Sequence, residues 1–393
     1  RNAYWFQVGP RGSIGDALVS QNGAAFNKQW DGLWDGRGKI VKDGWHCEMV
    51  IPFKTMNFRA GQTTWGLKLI RYVKKREEMD VWPQANIDAY KFQVSDAGLL
   101  EGMEGITQGI GLDISPYGLA GMDQRVGEDN EFPTDAGVDV FYQVTPGLKS
   151  ALTVNTDFAQ TEVDARQINL TRFKLHFPEK RDFFLDGANY FQFGLEGDRA
   201  SNFSQRIIPF FSRQMGLDGD GNPIPIVWGG KVTGQVGDYN LGIMNIMDER
   251  EGGNENFTVG RVTRNFGSQS SIGAIGTMGN ATGDADNSVV GVDLRLATST
   301  FQKNKNMAFT LFGLKSSTAD VNDNDIAFGG EFVLPNDAFS VRLGHFQIEE
   351  NFQTGIGFVP RTGIKETYFA TGIGPRPNKH GIMQINVETS VDY

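Results

Sequence analysis

One cysteine, Cys47, is all the thiol chemistry this 393-residue chain has. A lone cysteine excludes an intrachain disulfide and a cysteine metal cluster, and reads as a small buried residue. Histidine is nearly as scarce. His46, His176, His345 and His380 stand far apart, with no HExxH and no His/Cys spacing that would hold zinc, and no GxSxG elbow marks a serine hydrolase. Positive charge is in deficit, 37 Lys and Arg against 47 Asp and Glu for a net charge of −10, which argues against a nucleic-acid partner because phosphate binding needs a basic face. No run of about 18 apolar residues exists, so no membrane-spanning helix is expected. That absence leaves spanning β-strands open, since each needs only about 9–11 residues with every second one apolar.

What the chain has in quantity is glycine, 50 residues, and phenylalanine, 29, a composition suited to many short strands and tight turns. Its length predicts two unequal parts. The first, residues 1–105, reads as a β-sandwich: AYWFQVGPRG, GWHCEMVIPF and TTWGLKLIRYVKKR have strand character and are separated by turn-rich stretches. Trp5, Trp30, Trp34, Trp45, Trp65 and Trp82 all fall here. Indole faces stack on sugar rings as readily as they fill a core. Trp30, Trp34 and Trp82 are the candidate carbohydrate-binding residues, and core packing is the competing reading for each.

From Ile110 onward the grammar is strict alternation. Val290, Val292, Leu294 and Leu296 fall on one face of a strand, and Gly291, Asp293 and Arg295 on the other; Phe328 and Phe332 oppose Glu331, and Phe339, Val341 and Leu343 oppose Arg342. Links alternate between short (VGDY, FGSQ, FQKNKN, LPND, PRPNKH) and long (EREGGNEN, GNATGDADN, SSTADVNDND, EENFQTGIGFVPR). Tight turns on one side and long loops on the other are the asymmetry of an outer-membrane barrel. Thirteen strands are predicted over residues 106–393. Because single-chain bacterial barrels use even numbers, a further strand is expected beyond Tyr393, and the sandwich is expected to be N-terminally incomplete. The fold class is therefore all-β: a partial periplasmic sandwich followed by an antiparallel outer-membrane barrel.

One stretch breaks the alternation. Residues 158–224 are dense in charge and aromatics and read as an ordered insert in the barrel interior or at its outer mouth. Its carboxylates Glu162, Asp164, Glu179, Asp182 and Asp186 are candidates for acid/base work on a glycosidic bond, with Arg166, Arg172, Lys180 and Arg181 available to pair them off as structural ion pairs instead. Asp218, Asp220 and Asn222 imitate the opening of a calcium loop, but Trp228 and Gly229 stand where the closing Glu is required, so a Gly/Asn turn competes with a calcium site. No other cofactor is indicated.

The run NTDFAQTEVDARQINLTRFKLHFPEKRDFFLDGANYF, followed by FFSRQMGLDGDGNPIPIVWGGKVTG, closely resembles the signature of the bacterial family known as domain of unknown function 5916, and VGPRGSIGDA with WHCEMVIPF resembles the later half of a family 9 carbohydrate-binding module. The resemblance implies a periplasmic sugar-binding-like domain on an outer-membrane barrel. Its partners would be outer-membrane lipid, glycans and other envelope proteins. Three functions follow as expectations: glycan handling or passage, saccharide hydrolysis as some members are labelled, or a structural role in an envelope complex.

Overall fold

The structure, a computed structural model, describes residues 2–23, 25–58, 61–83, 87–88, 90–106, 110–122, 132, 134–155, 176–195, 207–217, 224–250, 253–281, 283 and 285–393. It is all-β, with helix limited to single turns. In the N-terminal unit, β1 (Ala3–Val8), β2 (Ile14–Ser20) and β3 (Ala25–Asn27) form a three-stranded antiparallel sheet, and β4 (Asp35–Val41) pairs with β5 (Gly44–Val50). Then β6 (Trp65–Leu67), β7 (Leu69–Val73), β8 (Glu78–Trp82) and β9 (Gly98–Leu100) form two further pairs, β6 with β9 and β7 with β8. Cys47 is exposed on β5, not buried as expected, because among the described residues β5 pairs only with β4 and no layer covers its face.

Thirteen strands follow, hydrogen-bonded in chain order into one antiparallel sheet. They are β10 (Leu112–Ala120), β11 (Thr134–Thr145), β12 (Leu148–Val154), β13 (Ile226–Val236), β14 (Tyr239–Arg250), β15 (Gly253–Phe266), β16 (Ser270–Met278), β17 (Asn287–Phe301), β18 (Lys305–Thr318), β19 (Ile326–Pro335), β20 (Phe339–Ile348), β21 (Ile364–Ile373) and β22 (Val387–Asp392). Among the described residues β10 and β22 are the two edges.

Two links differ from expectation. EREGGNEN is no long loop: Arg250 pairs with Gly253, because the polar residues Asn254, Glu255 and Asn256 continue the ladder, where backbone pairing is satisfied whatever the side chains. Conversely, β22 starts at Val387 rather than near Gly381. Pro375 and Pro377 cannot donate to a ladder, and residues 374–386 instead fold back, with Arg376 and Gln384 bonded to Asp337.

The two faces of the large sheet divide as the alternation predicts. On β17, Val290 and Val292 are 61% and 62% exposed, while Val289 is fully buried. Ile243, Ile272, Leu311, Phe328, Leu343 and Phe369 repeat the outward apolar pattern, and among the described residues no second sheet covers them. The inner face wraps the insert: residues 176–195 and 207–217 touch β12, β13, β14, β15, β17, β18 and the loop between β20 and β21.

Chemistry changes along this inner face. Toward the long loops it is apolar, with Met244, Ile246, Phe257, Val259, Ile275 and Leu314 packing against Phe183, Phe184, Phe191, Phe210 and Met215 of the insert. Toward the short turns it becomes polar, with Thr233, Arg261 and Thr310 buried. The short turns in turn meet the N-terminal unit. The Phe58 N–H donates to the Pro146 carbonyl at 3.1 Å, Asn22 Nδ2 to Gln269 Oε1 at 3.2 Å, and Gln93 Nε2 to Ser299 Oγ at 3.1 Å. Asp88, itself buried, pairs with Lys305, accepts the Asp337 N–H at 2.9 Å, and offers its carbonyl to Asn306. The N-terminal unit is therefore a cap seated on the short-turn end.

Candidate functional site

FPEKRDFFLDGANYFQF carries five of the six charged side chains among the described residues of the insert. Arg181, with a fully buried side chain, donates Nε to Glu179 Oε1 at 2.9 Å and Nη2 to Glu179 Oε2 at 2.7 Å, and spends its remaining donors on the Met215 and Ser212 carbonyls, both at 2.9 Å. Its guanidinium lies 4.1 Å from the centre of the Phe184 ring. Ser212 Oγ and the Lys180 and Arg181 N–H groups also donate to Glu179. Burial alone would raise the Glu179 carboxyl, but the Arg181 charge and this ring of donors hold it at about 2. A short helix, α1 (Asp182–Leu185), then buries Phe183 and Phe184, and Gly187 at φ 72 turns the chain where a Cβ would sit 2.4 Å from Thr233 Oγ1.

Asp186 closes that turn between two lysines. Lys149 Nζ donates to Asp186 Oδ1 at 3.1 Å, and the buried Lys231 sits 3.9 Å from Oδ2 while donating to the Phe183 and Asp186 carbonyls. Burial opposes its ionisation, yet the two ammonium charges keep its carboxyl below the usual range. A general acid for glycoside cleavage needs its pKa raised. Glu179 and Asp186 are both driven the other way, and their surroundings suit fixed counter-ions.

Below this turn, between insert, sheet and cap, lies a polar cavity of about 370 Å³. The insert contributes Asp186, Asn189, Tyr190 and Gln192; the wall contributes Lys149, Asn240, Arg261, Thr263, Asp293 and Arg295; the cap contributes Tyr4, Asn22, Trp30 and Asn57. Arg261 is bidentate to Asp293 at 2.7 and 2.8 Å across the intervening strand, and this pairing needs Gly273 between them: a Cβ there would stand 2.6 Å from Arg261 Nη1. Ser20 Oγ of the cap donates to Gln192 Oε1 at 2.8 Å, joining cap to insert. Burial, and then the Asp186 charge, pushes the Tyr190 hydroxyl up to about 12, so it is a donor at any physiological pH.

Of the residues singled out in the sequence, Trp30 and Asp186 line this cavity. Trp30 is buried and packs on Tyr4 and Phe6, with ring centres at 5.2 and 6.1 Å. Trp34 also sits on Phe6, at 5.1 Å, and donates Nε1 to Asp16 at 2.9 Å; Trp82 is exposed on β8 against Gly98. Glu179 is sequestered by Arg181, and Asp182 is exposed at the start of α1. Glu162, Asp164, Asp218, Asp220 and Asn222 lie outside the described residues. Among the described residues, no group of three or more His, Cys, Asp or Glu is placed to hold a metal ion. The inward parity of Asn240, Arg261, Thr263 and Asp293 was readable from the alternation. That they converge with Asn189 and Gln192 was not, because the insert has no period.

Residues 109–207 match the family described as Domain of unknown function (DUF5916), a stretch that takes in β10, β11, β12 and the insert as far as Ile207. No curated protein and no solved structure matches the chain.

Proposed function

We propose that this chain is an outer-membrane β-barrel protein whose N-terminal, carbohydrate-binding-like domain caps the periplasmic end, and that it handles or passes glycans in the bacterial envelope. The observation that carries the reading is the inversion of the large sheet: apolar side chains face outward without cover, while Arg261, Asp293, Lys231 and Glu331 are turned inward. A water-soluble sandwich would bury the first set and expose the second. In a bilayer the outward band meets hydrocarbon, and the inward polar groups are satisfied by one another and by the insert. Seating of the cap on the short turns fits the periplasmic side, where such barrels keep their turns tight. The packed insert favours gated or ligand-coupled handling over an open pore.

Extraction from membranes tests this reading. The expected result is release only with detergent and heat-modifiable, β-rich migration on a gel; full recovery of folded protein in plain buffer overturns it.

A further inference from the structure

We propose that the cavity enclosed by cap, insert and inner wall binds a short neutral saccharide, at the level of a disaccharide. This rests on the glycan-handling reading above and names where the glycan is held. Three observations converge on it.

Four of the cavity's charges are already spent on each other. Arg261 is forked onto Asp293 and Lys149 is paired with Asp186, while Arg295 donates to Thr310 Oγ1 at 3.3 Å, so a charged ligand would have to break a close ion pair to reach any of the first four. The neutral hydrogen-bonding groups are in the opposite condition. The side-chain amides of Asn57, Asn189, Gln235 and Asn240 and the hydroxyl of Thr263 make no side-chain hydrogen bond among the described residues, although all line the same space. Each amide offers donors and an acceptor together, the combination that matches the vicinal hydroxyls of a sugar.

Aromatic residues complete the site. Tyr4, Trp30 and Tyr190 border the cavity and give it apolar surface beside the polar groups, as the C–H groups of a pyranose require. The volume of about 370 Å³ falls in the range of roughly 300–1,000 Å³ typical of small-ligand clefts, room for a short saccharide.

Isothermal titration of the full chain, in a detergent without a sugar headgroup, tests the proposal. The probes are cellobiose, maltose and xylobiose, with digalacturonate, diglucosamine and trialanine as controls. Saturable binding of at least one neutral disaccharide is expected, with Asn240→Ala and Asn189→Ala each weakening it roughly tenfold and Tyr190→Phe, which keeps the ring, weakening it less. Heat-modifiable migration of every variant is scored alongside, so that failure of the cavity is separated from failure of the barrel. No binding of any of the three neutral probes by correctly folded protein overturns the proposal. So does tighter binding of a charged probe or of trialanine, or sugar binding unchanged in both Asn variants, which would place the sugar elsewhere on the cap.

Discussion

The inner and outer faces of the thirteen-stranded sheet are written in the same two-residue period, but only the inner one carries buried charge. On β17, one step along the backbone separates Val292, open on the outside, from Asp293, locked to Arg261 inside. The outer face makes only local side-chain contacts among the described residues, such as His345 Nδ1 with Thr367 Oγ1 at 2.7 Å, and its apolar side chains stay open. The inner face is held by the insert, through buried ion pairs at one level and aromatic packing at another. On the outer-membrane reading proposed above, the two faces should therefore fail differently: inner changes should cost folding free energy, and outer changes should cost placement in the membrane.

Arg181→Met gives the largest expected effect. It leaves Glu179 buried with most of its donors but no countercharge, and removal of one partner from a buried pair costs about 3–5 kcal/mol. Arg181→Lys should recover only part of it, since a point charge cannot make the fork to Glu179 and reach the Met215 and Ser212 carbonyls together. Urea unfolding in detergent measures both, and a loss under about 1 kcal/mol for Arg181→Met would erase the contrast between the faces. On the outside, Val292→Ala should leave unfolding nearly unchanged, while Val292→Arg should cost about 2–4 kcal/mol of membrane insertion, read as the fraction assembled into lipid vesicles. Equal assembly of both variants would remove the lipid from the account.

How much of this was legible beforehand follows from what has a period. Strand number and face parity were readable because Val290, Val292 and Leu296 must share a side whatever the fold. The Arg261–Asp293 pair was not, since it joins strands that are not neighbours and depends on register through Gly273. In the insert, opposite charges were legible as partners, but which pairs with which was not. Arg181 takes Glu179, two residues away, because the turn before α1 brings them together, and Asp186 takes Lys149 and Lys231 from the wall. Nothing in the sequence marks Asp88 as the residue that ties the cap to two short turns, through Lys305 and Asn306 at one and Asp337 at the other.

Asp88→Ala sharpens the comparison at the junction, where an inner-type polar network holds two units together. It removes the Lys305 pairing and the acceptor for the Asp337 N–H, a loss of about 1–3 kcal/mol confined to the cap. Limited proteolysis should then clip within residues 1–105 faster while the sheet stays protected; uniform protection of both would show that the latch carries no weight.

The smallest effect at neutral pH, and the most diagnostic, is acid sensitivity. Glu179 has its folded pKa depressed to about 2 from 4.5, so its contribution is complete above the unfolded value and is lost as pH falls between about 4.5 and 2. Asp186, also depressed, adds to the same loss on the acid side. The outward apolar band of β17 has no such groups. Thermal unfolding followed from pH 7 to pH 2.5 should therefore show destabilisation setting in below about pH 4.5, and Arg181→Met should abolish most of that dependence, because without the guanidinium burial dominates and Glu179 is protonated at a higher pH. A wild-type midpoint that stays level down to pH 2.5 would mean that the Glu179 pairing persists to no energetic effect, and the inner face would then owe its stability to Phe183, Phe184 and their neighbours alone.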